Sequence, residues 1–473
     1  MIATVDRSVA LAALRAVLGG DALLLEPGDQ AGYLIDQRRL YQGRALAIAL
    51  PGDTAQVAAI VAICQQYHIG VVPQGGNTGY CGGATPDPSG EQLVVSLGRM
   101  NQIRAMDPAG FNMTVEAGCL LADVQAAAAS AQRYFPLSLG SEGSCMIGGN
   151  LATNAGGLNV LRFGMMRDLV LGVEAVLPDG HVYNGLSSLR KDNTGYDLSS
   201  FLVGSEGTLA VITAASLKLW PAMRGSATAY AAIADAAAAL EMLTVLRNTV
   251  GDRLTSLEYL PASVVALATQ TLPGLRPPLR EHAGAILLIE LSSAADEDLV
   301  AILQATLSDA LKSGAITDAA MAGNERERLE FWRLRENIPE MQRRIGASIK
   351  HDVSLPLAAM PPFIAAVNAW VTTHVPDGLL ICYGHVGDGN LHCNVSQRPG
   401  TDQTAFRARE PVIKRAVHDL VQAMGGSISA EHGIGQQKVD ELRRYASPTK
   451  LEFMRKIKRA IDPNGIMNPG KLL

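Results

Sequence analysis

Gly70-Val-Val-Pro-Gln-Gly-Gly-Asn-Thr-Gly79 is the stretch whose reading decides the fold. A short buried strand, Gly70-Val-Val-Pro73, runs straight into a loop, Gln74-Gly-Gly-Asn-Thr-Gly79. The loop offers consecutive backbone N–H groups with little side-chain obstruction, an arrangement that can hold a pyrophosphate. It lacks the Gly-Lys-Ser/Thr ending of a P-loop and the G-x-G-x-x-G spacing of a Rossmann turn. On its own, an ordinary glycine-rich turn explains it. Leu139-Gly-Ser-Glu-Gly-Ser144, Ile147-Gly-Gly-Asn-Leu-Ala-Thr-Asn-Ala-Gly-Gly157 and Val203-Gly-Ser-Glu-Gly-Thr-Leu209 repeat the same texture. Small-residue segments so far apart could enclose one extended dinucleotide. Close-packed turns would explain any one of them, but not the set. The 47 glycines of the 473 residues exceed the usual ~7% and cluster near 75–83, 140–164 and 384–389. Such clustering brings backbone close to ligands.

A chain of 473 residues is too long for one ordinary core, so two or three domains are expected. Hydrophobic residues at 48% and charged residues at 18% describe a globular protein with a large buried fraction. Net charge of -5 leaves no footprint for nucleic acid. Six cysteines without a C-x-x-C pair give no disulfide framework, and a reducing, cytoplasmic location is expected. Asp6 and Arg15 interrupt the first apolar stretch, which reads against a signal peptide, and Asp235 and Glu241 read against a membrane span in 227–246.

Helical spacing over residues 7–18 and 55–67 gives two helices, the second capped by Pro51-Gly-Asp-Thr54. Strands follow at 93–97, 113–116, 169–177 and 209–219, with a helix at 123–131. The texture changes at Trp220-Pro221. Beyond it come helix 231–247, strand 256–259, helix 262–269, strand 285–290, helix 296–313, a strand near Ile316 and a long polar helix at 324–344. This pattern predicts an antiparallel sheet covered by helices on one face. The fold class is α+β, with domains over 1–220 and 221–440 and a segment over 441–473 that reads as a helix and turn-rich tail.

A second motif carries chemistry. Tyr383-Gly-His-Val-Gly-Asp-Gly-Asn-Leu-His392 is answered by Ala430-Glu-His432. On a flat strand, histidines seven apart would face opposite ways. On a helix they would align, but Gly387, Asp388, Gly389 and Asn390 are poor helix formers. A loop or bent strand that turns both imidazoles to one point is the better reading. With Glu431 they make a two-His, one-carboxylate set, which suits zinc with an open position and also non-haem iron.

Gly75-Gly-Asn-Thr-Gly79, Gly148-Gly-Asn-Leu-Ala-Thr-Asn-Ala-Gly-Gly157 and Gly204-Ser-Glu-Gly-Thr208 resemble the flavin-binding half of the vanillyl-alcohol-oxidase-type (PCMH-type) FAD proteins. His385-Val-Gly-Asp-Gly-Asn-Leu-His392, Glu431-His-Gly433 and Asn468-Pro-Gly-Lys471 resemble their FAD-linked oxidase C-terminal domain. Within that family, D-2-hydroxyglutarate and D-lactate dehydrogenases are the most similar. The resemblance implies a PCMH-type domain of two α+β subdomains, a substrate domain, and a tail that returns to close the flavin site. It implies an FAD cleft lined by Pro73, Gln74, Gly75, Gly76, Asn77, Thr78 and Gly79 at the pyrophosphate, and by Leu139, Gly140, Ser141, Gly148, Gly149, Asn150, Thr153, Asn154, Gly156 and Gly157. Glu206, Gly207 and Ile212 fall near the adenine end, and Asn468 on the returning tail. The glycine segments contain no histidine to tether the flavin, so non-covalent FAD is expected. His385, His392 and Glu431 fall on metal ligands, His432 on the base, and Arg335, Lys350 and Asn394 on substrate contacts.

The implied activity is FAD- and metal-dependent oxidation of a D-2-hydroxy acid, with D-2-hydroxyglutarate as leading substrate and D-lactate as the alternative. Pro339 stands where D-2-hydroxyglutarate-specific relatives can carry a hydroxyl residue, which favours the alternative. Zinc is the first metal, with Mn2+ or Fe2+ able to use the same donors. The acceptor is not named by the sequence, an electron-transfer flavoprotein being one class, and a homodimer is expected. Arg326, Arg328, Arg333, Arg343 and Arg344 read as a solvated helix face around Arg335. Glu142 and Cys145 read as packing residues, and His68, His181, His282, His351, His374 and His418 as surface or structural histidines. From other classes, a hydrolytic zinc protein without flavin would leave the glycine segments unexplained, and a non-catalytic flavin carrier would leave Glu431-His432 without a task.

Overall fold

The structure, a computed structural model, describes residues 7–279 and 284–473. His282 and Asp6 lie outside the described residues. Two compact units emerge: the first runs through Gly157, resumes over Gly164–Ala222 and ends with Glu431–Leu473, while the second holds Leu158–Phe163 and Met223–Ala430. The second unit thus ends at Ala430 rather than at 440.

In the first unit, Ala47–Ala49, Gln92–Ser96 and Gly70–Gln74 form a parallel trio, with Leu23–Leu24 antiparallel at its edge. Side chains alternate along each strand. Val71, Leu93 and Val95 therefore face one core with Leu14, Val57, Ile60 and Val61. Ile48, Val72 and Val94 face another, under Tyr33 and Leu34. Burial on both faces explains why these strands read as continuous apolar runs. Helix Thr54–Gln66 starts where the Asp53 carboxylate accepts the Gln56 N–H at 2.8 Å. Ile466 and Met467 of the tail join the same core, and Val71 bridges to Met467 in parallel.

This unit also holds an antiparallel sheet of five strands, in the order Ile103–Asp107, Asn112–Glu116, Val211–Lys218, Val170–Val176 and Val182–Asn184. Its two edge strands went unread because they are short and mostly exposed, so no alternation of apolar and polar residues marks them.

The second unit is built on an antiparallel sheet of eight strands. The order is Asp318–Met321, Gly225–Ile233, Ala285–Ser293, Leu254–Pro261, Gly378–His385, Asn390–Gln397 and Ser348–Ile349, with Asp352–Ser354 also paired to Asn390–Gln397. Helices cover both faces, not one. Tyr230, Leu260, Leu288, Ile381 and Tyr383 pack under Ala262–Thr271, Glu325–Glu336 and Ile338–Ile345. The alternate residues Ala231, Leu287 and Ile289 are also fully buried. Ala236–Val250, Leu299–Ser313 and Met360–His374 lie against the strands and contribute nothing to the first cluster, so they take the second face. The polar helix expected over 324–344 is two helices that meet at Asn337. Pro339 supplies the break: its ring cannot continue a helix but is tolerated in the first turn of the next.

Candidate functional site

The glycine segments converge within the first unit on one cleft. Pro73, Gln74, Gly75, Gly76, Asn77, Thr78 and Gly79 line it, with Gly148, Gly149, Asn150, Thr153, Glu206, Gly207 and Ile212. His432 lines it too. Leu139, Gly140, Ser141, Asn154, Gly156, Gly157 and Asn468 do not. Cys81, Gly83, Ala84, Leu97, Met146, Ala152, Ala210 and Gly435 were missed, since nothing local marks them apart from other small or apolar residues.

The glycines divide by task. A Cβ at Gly76 would sit 2.0 Å from the Ser144 carbonyl oxygen, so this residue lets two loops touch. At Gly149, in the first turn of Ile147–Ala152, a Cβ would meet nothing within 4 Å. Bare backbone there faces the cleft. Among the described residues that line it, the ionisable side chains are Cys81, Glu206 and His432. None of these residues is a lysine or arginine, so an anionic cofactor would rely on backbone N–H groups and on neutral donors such as Thr78, Asn150 and Thr153. The walls fit FAD in that sense.

Several expected cofactor residues serve as scaffold. The Gln74 amide donates to the Tyr33 and Ala84 carbonyls, and the Asn77 amide to Ile35. Asn154 accepts the Arg167 N–H, and Gly157 donates to the Glu431 carboxylate at 2.7 Å. Asn468 donates to the Gly83 and Glu206 carbonyls while its own N–H reaches Val71. Glu206, with φ of 52°, accepts Ile434 N–H at 2.8 Å and Gly435 N–H at 2.7 Å. Burial raises its pKa, and these two donors offset only part of the effect. Cys81 accepts N–H groups from Gln436 and Gln437, so both ends of this turn are pinned. His432 sits just before it, edge-on to Tyr80 with ring centroids 4.8 Å apart.

The second unit gathers His385, His392, Arg335 and a residue that sequence reasoning missed, Glu258. The two histidines lie on a hairpin, not a loop: Gly378–His385 pairs with Asn390–Gln397, His385 opposite Asn390 and His392 opposite Tyr383. Residues two apart on one strand share a face, so the register puts both imidazoles on the same side, with centroids 5.5 Å apart. Gly389 makes the turn at φ of 83°, and a Cβ there would lie 2.3 Å from the Leu355 carbonyl oxygen.

Glu258 lies opposite His385 on the neighbouring strand and is 0% exposed. Its Oε1 lies 2.5 Å from His385 Nδ1, and its Oε2 accepts Arg335 Nε at 2.5 Å. Burial would raise the Glu258 pKa, but His385 and Arg335 outweigh it and hold the carboxyl well below the usual range. Arg335 is buried, with its guanidinium 4.8 Å from the Tyr383 ring centroid. Asp352, also missed, lies 3.9 Å from His392 Nδ1 and accepts from the Asn390 amide. Lys350 is half-buried on the link between Ser348–Ile349 and Asp352–Ser354. Asn394 is engaged at both ends of its amide, accepting the His351 N–H and donating to Gln342. The N–H of Ala430 donates to the Asp352 carbonyl, and Glu431 follows it in the chain. Two imidazoles on one face, one of them backed by a carboxylate, fit the nitrogen donors of a divalent metal.

Two family models match the chain. The model described as FAD linked oxidases, C-terminal domain, matches residues 223–472, and the one described as FAD binding domain matches 45–185. A protein of Oryza sativa subsp. indica named probable D-2-hydroxyglutarate dehydrogenase, mitochondrial, is 34% identical over 96% of this chain and 80% of its own length. The Bos taurus protein named D-2-hydroxyglutarate dehydrogenase, mitochondrial, is 37% identical over 98% of this chain and 83% of its own. Among solved structures, p-cresol methylhydroxylase with substrate bound has a TM-score of 0.77 at 18% identity, over 98% of this chain and 96% of that one. The α+β fold expected from the sequence is thus a PCMH-type flavoprotein fold. The cytoplasmic location is corrected by the two relatives, both named mitochondrial. All six cysteines are free and buried, but free thiols report reducing conditions and do not distinguish one compartment that has them from another. Among the described residues no helix is long and apolar enough to cross a membrane.

Proposed function

The chain belongs to the FAD-linked oxidases, and from that premise we propose that it oxidises D-2-hydroxyglutarate to the 2-oxo acid, with FAD as electron acceptor and a divalent metal at the substrate. Relatives named D-2-hydroxyglutarate dehydrogenase match over nearly the whole chain, which supports the dicarboxylate and disfavours D-lactate. Pro339 loses its weight against that substrate, because its place in the first turn of Ile338–Ile345 gives it a structural reason to be proline. The observation that carries the metal is the pair His385 and His392 on one face of a hairpin, with Glu258 behind the first.

Bound FAD supplies a two-electron acceptor for the hydride at the substrate Cα. His385, His392 and Glu431 would hold a divalent ion, zinc first with Mn2+ or Fe2+ as other users of these donors, which would supply Lewis-acid polarisation of the α-hydroxyl. His432, on the wall of the cofactor cleft, takes the hydroxyl proton, a role that contributes roughly 10²–10⁴-fold. Arg335 presents a planar guanidinium to a carboxylate and Lys350 a point charge. Because Nε of Arg335 already serves Glu258, a substrate carboxylate meets its terminal nitrogens. Asn394 acts through the strand it braces. FAD would be held there without a covalent bond, since the glycine segments offer no histidine to tether it, and the acceptor that completes the reaction would be of the electron-transfer flavoprotein class.

The test is an anaerobic visible spectrum of metal-replete protein before and after D-2-hydroxyglutarate, with D-lactate in parallel. Bleaching of the flavin bands by the dicarboxylate, faster than by lactate, is expected. Bleaching by lactate alone would transfer the assignment to the monocarboxylate, and protein that stays colourless after FAD is added would end the flavoenzyme reading.

A further inference from the structure

Glu258 is a fully buried charged residue, on a strand whose neighbours Leu257 and Leu260 are ordinary core. A carboxylate in that position is costly unless paired and hydrogen-bonded. Here each oxygen has a different partner: Oε1 faces His385 Nδ1, and Oε2 accepts from Arg335. A glutamine could not do both, because its amide has one acceptor. A carboxylate oxygen 2.5 Å from Nδ1 favours the ring proton on that nitrogen and leaves Nε2 for a ligand. The same carboxylate holds the arginine against Tyr383.

We propose that Glu258 is a positioning residue that presets two ligand-binding groups at once: His385, through Nε2, for a divalent ion, and Arg335 for a substrate carboxylate. The proposal rests on the metal reading above. It adds that metal affinity and carboxylate binding are linked through one buried side chain. Loss of Glu258 then weakens both, although Glu258 touches neither ligand.

The experiment uses full-length protein, stripped of metal with a chelator and retitrated with Zn2+ or Co2+, with FAD content and a thermal melt recorded for each variant. For Glu258→Gln, Zn2+ affinity is expected to fall about 10–100-fold. The visible bands of the Co2+-loaded protein should shift, the KM for D-2-hydroxyglutarate should rise, and FAD content should stay at the wild-type level. Glu258→Asp keeps the charge but shortens the arm; it should also lose affinity, and it decides the matter if the glutamine variant does not fold. Zn2+ affinity within twofold of wild type in a folded variant, with an unaltered Co2+ spectrum, overturns the proposal while leaving the metal reading intact. Wild-type protein that binds neither ion removes the metal reading and this proposal together.

Discussion

Two glycines on the same cleft should respond in opposite ways to one added methyl group. Gly149 lies in the first turn of Ile147–Ala152, without a positive φ, and its Cβ would meet nothing within 4 Å. Alanine there limits the unfolded chain more than the folded one, so the flavin-free protein should gain about 0.5–1 kcal/mol. At about 1–2 °C per kcal/mol for a chain of this size, its melting temperature should rise by about a degree. If bare backbone at Gly149 is there for the cofactor, the same methyl should weaken FAD by at least about tenfold, or ~1.4 kcal/mol. Gly76→Ala is the contrast. Its Cβ would lie 2.0 Å from the Ser144 oxygen and 3.1 Å from Cys145 Cα, so backbone must move. Overpacking of this kind costs about 1–3 kcal/mol even before FAD is added. Thermal melts of flavin-stripped protein and fluorescence titrations with FAD measure the two effects separately. Unchanged FAD affinity in Gly149→Ala would refute the claim that this surface is the cofactor wall. A lower melting temperature for its flavin-free form would refute the open space itself.

Glu206→Ala leaves the Ile434 and Gly435 N–H groups without their acceptor, a loss of about 2–6 kcal/mol from which the relief of removing a buried carboxylate is subtracted. Urea unfolding would show it, and flavin reduction should slow with it as the turn after His432 loosens. Asn468→Ala should remove the two bonds from its amide to the Gly83 and Glu206 carbonyls and weaken FAD, while the backbone bonds between Val71 and the tail keep residues 466–468 in place; FAD affinity equal to wild type would contradict it. Prolonged chelation should leave the flavin bands in place but abolish their bleaching by D-2-hydroxyglutarate, and full bleaching of verified metal-free protein would count against a catalytic metal. Glu174 is buried, which raises its pKa, but Thr54, Thr213 and Arg104 together bring it below 4.5. Its contribution is therefore present above the ordinary carboxylate pKa and is lost as pH falls through the depressed value. Glu174→Gln should flatten the acid side of a plot of urea midpoint against pH; an unaltered slope would remove that role.

What could be read from the sequence, and what could not, follows from the range of the physics involved. The loop at 74–79 was legible because a strand running into three glycines is a local signal, and the pattern needs no partner to be seen. The same locality misled at 324–344, where helical spacing ran on across Pro339 and the structure breaks at Asn337. His385 and His392 were legible as a pair but not as a hairpin. Only the pairing of His385 with Asn390 makes an odd spacing into a shared face, and that register depends on the turn between them. Glu258 was not legible at all. In Leu254-Thr-Ser-Leu-Glu-Tyr-Leu-Pro261 it looks like the solvent-facing residue of an alternating strand, and its two partners lie 77 and 127 positions further on. Its charge belongs in the interior only because an arginine on a helix and a histidine on a neighbouring strand arrive there too. A residue of that kind is invisible to local pattern for the same reason that it is informative in the fold: burial of an ion at 0% exposure persists only where several groups need it, so the place to look for unassigned function is where a local rule for a strand is broken by partners from elsewhere in the chain.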